Sequence, residues 1–223
     1  MALIEKQKIF NFLNDLIQNN SKEWMDKNRH RYHEAKAIFI EEIDEIIRQV
    51  KLIDPEFIDI TAKKSILRIN RNLVFSKDKT PYKDNFGASI IREEAKSDFY
   101  IHISPHECFI AAGFYHPPNE MLKLIRQEID YEQNQFLKII RDNDFIEAYD
   151  QLMMEDALKT APRGYSTDHP LIEYLRLKSY VVMHPITTKE FLADDFINKV
   201  IDLYKAATPL RKFLDTALVE YRE

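Results

Sequence analysis

The chain has 223 residues, of which 45% are hydrophobic and 31% charged, and a formal net charge of −5, a composition typical of a globular protein. The negative charge argues against a generally basic nucleic-acid-binding surface, and three glycines are too few and too scattered for the phosphate loops of many nucleotide-binding enzymes. A single cysteine excludes an internal disulfide. The chain contains no run of eighteen apolar residues, so no membrane span is predicted. We therefore expect a cytoplasmic protein with no membrane partner.

The first part of the chain, residues 5–54, is predicted to be helical. Apolar residues recur with helical spacing from Glu5 to Gln18. Ser21 is a residue type that commonly caps helices, and it precedes a second run of helical spacing that begins near Lys22. This run is expected to end before Pro55, because a residue that precedes proline disfavours helical dihedral angles.

The middle of the chain, residues 64–116, changes to short segments rich in Ile, Phe, Tyr and Val. Turn residues separate these segments, which predicts an antiparallel meander. The last two segments are close enough in sequence to form a hairpin. The predicted strands are Ile66 to Phe75, Phe86 to Ile91, Phe99 to Ser104 and Cys108 to Phe114.

Residues 119–223 return to mainly helical spacing, with one further strand predicted near 179–184. Thr187 and Glu190 have the spacing of a capping box, which predicts the start of a helix. Thr208-Pro209 is expected to interrupt the last helical region, because proline has no backbone N–H to donate. The other predicted helices run from Asn119, as the cap, through Ile129, from Gln133 to Met154 and from Leu171 to Lys178.

These patterns together predict a single α+β domain that spans residues 1–223. Its centre is an antiparallel sheet of about five strands, and helices from both ends of the chain flank that sheet. The sequence contains no internal repeat and no linker long enough to divide it.

Residues 61–83, here named the basic segment, carry an excess of positive charge. They include five lysines, two arginines and one aspartate, a net charge of +6, which leaves −11 for the remainder of a chain whose total is −5. Concentrated positive charge in a concave site attracts anions such as phosphates and carboxylates. The residues that we expect to bind such a ligand are Arg68, Arg71, Lys77, Lys79, Tyr82 and Lys83.

Arg71 and Asp78 have alternative roles within the basic segment. On a strand that starts at Ile66, Arg71 shares a face with apolar residues, so its guanidinium requires a carboxylate or a bound anion. An internal salt bridge and ligand binding both fit that pattern. Asp78 can act as a base, orient Lys79 or cap the turn. Lys77 and Lys79 can face solvent or converge on a phosphate.

The basic segment contains a distinctive motif, Arg68-Ile-Asn-Arg71 followed by Phe75-Ser-Lys-Asp-Lys-Thr-Pro-Tyr-Lys83. With this motif the chain resembles a protein family known only as a domain of unknown function, found in bacteria and fungi. The resemblance extends roughly from Phe10 to Leu218 and supplies no mechanism. The other matching blocks are Asn19-Asn20-Ser-Lys-Glu-Trp24 with Asn28, Arg29 and Tyr32, Tyr100-Ile-His102-Ile-Ser, Ala112-Gly-Phe-Tyr-His-Pro117, Ala161-Pro-Arg-Gly164, His169-Pro170 and Tyr174-Leu-Arg-Leu-Lys178-Ser.

The sequence departs from that family's pattern at Asn72 and Val74, where the family usually has Asp and Arg. Both positions lie on one face of the predicted strand, so a charged pair is missing from this chain. If the pair is catalytic in the family, this member is impaired. Loss of a structural or auxiliary pair is the simpler interpretation.

His102 is the histidine best placed for chemistry. It shares a face of its predicted strand with Tyr100, and a neutral imidazole beside the basic segment can act as a general acid or base. The alternative is a histidine that is hydrogen-bonded within the core. Catalytic residues are therefore not assigned, with His102 and Asp78 as the candidates, and the sequence leaves open whether the protein is an enzyme.

A metal site is not expected. His102, His106 and His116 lie on or beside the predicted hairpin, but Pro105 interrupts the helical spacing that metal-binding histidine pairs use. No further cysteine or paired acidic motif completes a set of ligands. We also expect no cofactor.

Three functions compete for this chain. The first is a pocket for an anionic small molecule or nucleotide at the basic segment, and it is the one we favour. The second is a protein-interaction or structural module in which the same residues form internal ion pairs. The third is a nucleic-acid-binding module with the basic segment as an exposed stripe, although the acidic remainder of the chain counts against it.

Overall fold

The computed structural model describes residues 3–55, 57, 60–74, 78–91 and 96–219. The strands are β1 (Phe86–Ser89), β2 (Asp98–Ile103), β3 (Cys108–Phe114) and β4 (Tyr180–Ile186). The helices are α1 (Leu3–Gln18), α2 (Lys22–Ile53), α3 (Ala62–Ser65), α4 (Asn119–Tyr131), α5 (Gln133–Ile140), α6 (Asn143–Tyr149), α7 (Ile172–Leu175), α8 (Thr188–Leu192) and α9 (Phe196–Thr216). The strands form one antiparallel sheet in the order β1-β2-β3-β4, with helices before and after it in the chain.

The α+β class is confirmed, but the sheet has four strands rather than about five. In the described part of the chain, the segment that starts at Ile66 makes only isolated bridges, from Ile66 to Ala88 and from Asn70 to Tyr82. Between these two bridges, the stretch from Tyr82 to Ala88 is two residues longer than the stretch from Ile66 to Asn70. The extra residues fall at Asp84-Asn85, so the pairing register changes there. A continuous ladder requires one register, which explains why this segment is extended without becoming a strand.

The remaining strand predictions are confirmed with small changes in their ends. β2 and β3 are neighbours in the sheet, and the turn of their hairpin has the Ser104 N–H donating to Glu107 O at 3.1 Å. β4 corresponds to the strand predicted near 179–184. In β1 and β2, Gly87 is paired with His102.

Local capping signals locate several helix starts. Ser21 Oγ accepts a hydrogen bond from the Trp24 N–H at 3.2 Å at the start of α2. Thr187 and Glu190 form the expected capping box at the start of α8. Asn119, expected as a cap, is instead the first residue of α4, because Pro118 with its extended backbone takes the capping position.

α9 continues through Pro209, where the sequence predicts an interruption. The Thr208 hydroxyl donates to Tyr204 O at 2.7 Å, next to the place where proline removes a backbone donor. Leu210 and Leu214 beyond the proline are fully buried. Burial of this apolar stripe offsets the cost of the proline, so tertiary packing overrides local propensity.

The chain divides into two compact units, each assembled from separate stretches of sequence. Unit 1 comprises Met1–Ile90, Tyr100–Ile110 and Pro185–Asp202, and unit 2 comprises Ile91–Phe99, Ala111–His184 and Leu203–Glu223. That the whole chain behaves as one domain stays a prediction. None of the helices in the described ranges is both long and apolar enough to cross a bilayer.

The core of unit 1 is aromatic and contains one buried ion pair. The Phe86 ring lies 5.6 to 6.3 Å from those of Phe12, Tyr32 and Phe39. Lys6 on α1 places its Nζ 2.9 Å from Glu42 Oε2 on α2, and both side chains are 3% exposed. The Lys6 ammonium also donates to Phe191 O at 3.3 Å, which connects α1 to α8.

The core of unit 2 holds close backbone approaches that only glycine allows. Gly113 has a φ of 121°, and a Cβ there would collide with the Tyr180 carbonyl oxygen. The Phe136 ring packs against those of Tyr174 and Phe213, at 5.2 and 5.6 Å between centroids. The Arg126 guanidinium satisfies two backbone carbonyls at the end of α7 and just beyond it, donating from Nε at 2.7 Å and from Nη2 at 2.9 Å.

Candidate functional site

In unit 1, the middle of the basic segment, residues 69–71, pairs with its last three residues, 81–83. The Arg71 N–H donates to Pro81 O at 2.9 Å, and the Lys83 N–H donates to Ile69 O at 2.8 Å. This pairing brings Lys83 next to the stretch that carries Arg68 and Arg71. Three of the predicted binding cations, Arg68, Arg71 and Lys83, are therefore neighbours in space as well as in sequence.

Asn20 fixes the position of this paired stretch. Its Oδ1 accepts from the Tyr82 N–H at 3.1 Å, and its Nδ2 donates to Tyr82 O at 3.0 Å, so one amide side chain takes the place of a neighbouring strand. The sequence shows Asn20 only as the end of the first helix and as part of a family-like block. Nothing in the sequence indicates that Asn20 contacts Tyr82, which lies 62 residues further along the chain.

Arg71 does have an internal carboxylate partner. Its Nη2 lies 3.1 Å from Asp78 Oδ2 and donates to Tyr82 O at 3.3 Å, with the two charged side chains 25% and 50% exposed. Its Nε is buried and has no hydrogen-bond partner among the described residues. The salt bridge therefore satisfies only part of this guanidinium.

Asp78 caps the turn, one of the three roles that its position allows. Its Oδ1 accepts from the backbone N–H and the hydroxyl of Thr80, at 2.9 and 2.8 Å. These hydrogen bonds, and then the charge of Arg71, lower the pKa of the Asp78 carboxyl below its usual range. Such a carboxylate is a weak general base near neutral pH.

The other predicted ligand residues are placed unequally. Lys79 is exposed and its Nζ donates to Leu73 O at 2.9 Å, and Arg68 is exposed to solvent. Tyr82 is only 7% exposed, and it contributes to the site through its backbone, which bonds to Asn20 and Arg71, rather than through its ring. Lys77 lies outside the described residues.

Lys83 is half-buried in positively charged surroundings. Burial first, and then the charges of Arg68 and Arg71, lower the pKa of its ammonium group. Among the described residues, no carboxylate lies within ion-pair distance of its Nζ. The positive charge of the Lys83 ammonium group is therefore less well balanced by nearby negative charge than that of a typical surface lysine.

His102 lies on the sheet face next to this cluster. Its ring stacks on Phe109 with 4.6 Å between centroids, and its Nδ1 is 3.1 Å from Tyr100 Oη and 3.4 Å from Asn85 Nδ2. Burial lowers the pKa of His102, against the opposing charges of nearby carboxylates, which favours the neutral imidazole. Gly87 makes room for the Tyr100 hydroxyl.

His106 and His116, the two other histidines near the hairpin, each lie beside one carboxylate. His106 Nε2 is 3.9 Å from Asp84 Oδ2, and His116 Nε2 is 3.2 Å from Asp156 Oδ2. Across the described ranges there is no group of three or more His, Cys, Asp or Glu side chains that could hold a metal ion.

The two departures from the family-like pattern lie at the exposed end of the site. Asn72 Oδ1 accepts from the Val74 N–H at 3.2 Å, and Val74 is 74% exposed. Asn72 therefore stabilises a local turn by itself and does not need a charged partner at position 74.

A family model described as a conserved hypothetical protein, DUF2461, matches residues 8–213. No curated protein and no solved structure matches the chain.

Proposed function

The chain belongs to the DUF2461 family, and we propose that it uses its basic segment to bind an anionic small molecule that bears a phosphate or carboxylate, or a nucleotide. This membership confirms the resemblance to a family of unknown function. The observation that carries the proposal is the buried Nε of Arg71, which has no partner in the described part of the chain. An unpartnered buried donor is costly, and a bound anion removes that cost.

The balance of charge around Arg71 supports the same proposal. Arg68, Arg71 and Lys83 are neighbours, and Asp78, the carboxylate that pairs with Arg71, also accepts two hydrogen bonds from Thr80 through its Oδ1. Like charges held together repel each other, and an anion placed among them converts repulsion into attraction. Guanidinium groups also bind phosphates and carboxylates through two parallel hydrogen bonds.

The proposal is tested by thermal unfolding at low ionic strength with inorganic phosphate, nucleotides and dicarboxylates. A ligand at a hundred times its Kd contributes about 2.7 kcal/mol, which raises the Tm by about 5–10 °C for a chain of this size. Arg68→Ala and Lys83→Ala should abolish that increase. Lys189→Ala, which removes an exposed lysine of α8 in the same unit, is the matched control and should leave it unchanged.

A structural or interaction module is the second candidate, favoured by the contacts that Arg71 makes to Asp78 and to Tyr82 O. It predicts that Arg71→Ala lowers the Tm strongly while no anion stabilises the parent protein. Anion binding predicts a different outcome: an anion raises the Tm of the parent protein, and Arg68→Ala loses that increase without a large loss of its own Tm.

The nucleic-acid alternative is less well supported. Tyr82, the aromatic residue of the basic segment that the structure describes, is buried, so its ring is not available to stack on bases. The alternative predicts RNA or DNA binding that weakens steeply with salt.

We also propose a reducing, cytoplasmic location for this protein. The single cysteine, Cys108, supports it, because this residue is buried and forms no disulfide.

A further inference from the structure

We propose that Lys83 is a nucleophile that forms an imine with an aldehyde or ketone carbon of the bound anion. This inference rests on the proposed function, because the basic segment must first hold the anionic end of that molecule. It adds a substrate class, anions that also carry a carbonyl group, and a covalent activity at one named atom, the Lys83 Nζ.

Lys83 occupies a fixed position beside groups that can bind such a substrate. Its backbone N–H is held by Ile69 O at 2.8 Å, within two residues of both arginines of the basic segment. It stands two residues before Asn85, whose Nδ2 is 3.4 Å from His102 Nδ1. A ligand anchored by Arg68 or Arg71 is therefore held close to the residue that carries the Lys83 amine.

The surroundings of Lys83 favour the neutral amine, which is the reactive form. The side chain is half-buried and has two guanidinium neighbours, and burial and these charges lower its pKa. Each unit by which a lysine pKa falls raises the neutral fraction at pH 7 about tenfold. Desolvation and a neighbouring cation are the two means by which proteins activate lysine for imine formation.

The reaction balances without an oxidant or reductant. The neutral Lys83 Nζ attacks the carbonyl carbon and forms the C–N bond while the C=O π bond breaks, and a proton passes from the nitrogen to the oxygen to give a carbinolamine. The carbinolamine hydroxyl then takes one proton from solvent and leaves as water as the nitrogen lone pair forms the C=N bond, which gives the protonated imine, and hydrolysis reverses both steps. The product retains a positive charge next to Arg68 and Arg71, and the anionic group of the substrate offsets it.

Lys79 provides an internal comparison. It belongs to the same segment, but it is exposed and its Nζ donates to Leu73 O at 2.9 Å. We therefore expect the amine of Lys79 to react as an ordinary surface lysine, whereas Lys83 combines partial burial with cationic neighbours.

The experiment is reductive trapping of the full chain with pyruvate, with glyceraldehyde 3-phosphate and, as a neutral carbonyl control, with acetone. Cyanoborohydride converts an imine into a stable secondary amine, and peptide mass spectrometry locates it. We expect Lys83 to be labelled several-fold more than Lys79 by one of the anionic probes, because partial burial and cationic neighbours activate its amine. We expect a smaller preference with acetone, which gains from the neutral amine but not from binding at the arginines, and we expect inorganic phosphate to suppress labelling of Lys83 by the anionic probes.

Lys83→Arg separates the covalent step from binding, because it keeps the positive charge and cannot form an imine. This variant should lose the selective label, whereas Lys189→Arg, a change at an exposed lysine of α8, should keep the label on Lys83, and the phosphate response of the parent protein reports binding. If phosphate stabilises the parent but the label is spread evenly over surface lysines, the imine proposal is wrong and anion binding stands. If no anion stabilises the parent and Lys83 is not labelled selectively, both proposals are wrong.

Discussion

Gly113 and Gly164 both have a positive φ, at 121° and 96°, but their surroundings differ. A Cβ on Gly113 would collide with the Tyr180 backbone oxygen, whereas a Cβ on Gly164 would meet nothing within 4 Å. Gly164→Ala should therefore cost only the strain of the left-handed backbone, about 1–2 kcal/mol. Gly113→Ala adds a clash between two backbones, and we expect a loss of more than about 3 kcal/mol.

Urea denaturation of the two glycine variants measures this difference. Gly164→Ala serves as the control for backbone strain alone. Equal losses of unfolding free energy in both variants would mean that β3 and β4 can separate without cost, which contradicts the close approach at Gly113.

Gly87 provides a second prediction for a single residue, because the Tyr100 ring lies over it. A Cβ at Gly87 would collide with Tyr100 Oη and would lie 3.1 Å from two ring carbons. Gly87→Ala should cost about 1–3 kcal/mol, as overpacking usually does. Removing the hydroxyl in Gly87→Ala/Tyr100→Phe should recover part of that loss, since it removes the closest atom.

A double-mutant cycle with thermal or urea denaturation tests the Gly87 prediction. A coupling free energy indistinguishable from zero would show that Tyr100 Oη is not the atom that restricts this position. Tyr100→Phe alone is the reference, and it also loses the 3.1 Å contact with His102 Nδ1.

Features of single residues were predictable from sequence when their cause is local. The roles of Ser21 and Thr187 as caps were predictable because each bonds to a residue three positions away. The role of Asn20 was not, because its partner Tyr82 is 62 residues away and only the tertiary fold brings the two together. For Arg71 the apolar row correctly implied a need for an anion or carboxylate.

At the scale of elements, the pairing of α1 with α2 contains a buried ion pair. Lys6 Nζ lies 2.9 Å from Glu42 Oε2, although that oxygen is not aligned for a hydrogen bond. Lys6→Met would leave Glu42 charged and buried, so we expect a loss of about 3–5 kcal/mol. Lys6→Met/Glu42→Leu removes both charges and should be more stable than Lys6→Met alone.

Guanidinium chloride denaturation of the three proteins measures the pair, with CD to confirm that helix content is kept. If the double variant is less stable than Lys6→Met, the cost lies in lost packing or in the hydrogen bond to Phe191 O rather than in an isolated charge.

The cap of α8 should make stability depend on pH. Ion pairing with Lys199 first, and then hydrogen bonds from Thr187, lower the pKa of Glu190 from 4.5 to about 2. A carboxylate with a lowered pKa in the folded state stabilises it at higher pH, and this contribution is lost as pH falls from about 4.5 to about 2. Glu190→Gln should therefore lower the Tm at pH 7, and this difference should shrink across that range.

Thermal melts between pH 2 and pH 7 measure this dependence. Glu147→Gln is the matched control, because Glu147 is exposed on α6 and has no ion-pair partner in the described residues. A difference between the parent and Glu190→Gln that stays constant down to pH 2 would contradict a role for the charge.

The boundaries of helices and strands were predictable where one local sequence signal dominates. The predictions were wrong where a local signal competes with tertiary pairing or burial. The segment after Ile66 has strand composition, but its pairing register changes at Asp84-Asn85, which composition cannot show. Thr208-Pro209 signals a helix end, yet burial of Leu210 and Leu214 keeps α9 intact. Both errors have one cause, because tertiary pairing and burial outweigh local preference.

At the scale of the whole molecule, unit 1 cannot be obtained by cutting the chain after its first stretch. Phe10 packs on Phe191 with 5.6 Å between ring centroids, and β1 pairs with β2. A fragment of residues 1–90 lacks both partners, which belong to Tyr100–Ile110 and Pro185–Asp202. We expect this fragment to lack a cooperative urea transition and a native near-UV CD spectrum.

The full chain under the same conditions is the control for the fragment. A sigmoidal urea transition of the fragment alone would show that α1, α2 and β1 form a self-sufficient core. We expect instead residual helix that melts gradually, because isolated helices without tertiary packing are only marginally stable in water.

The discontinuity of unit 1 also has a consequence during synthesis. Ribosomes add about 5 to 20 residues per second, so Met1–Ile90 waits roughly 5 to 20 s until Pro185–Asp202 has been translated. Throughout that interval the apolar surface that Phe191 later covers is open to chaperones and to other nascent chains. The rate at which the second half of the message is read should therefore influence how much newly made protein aggregates in the cell.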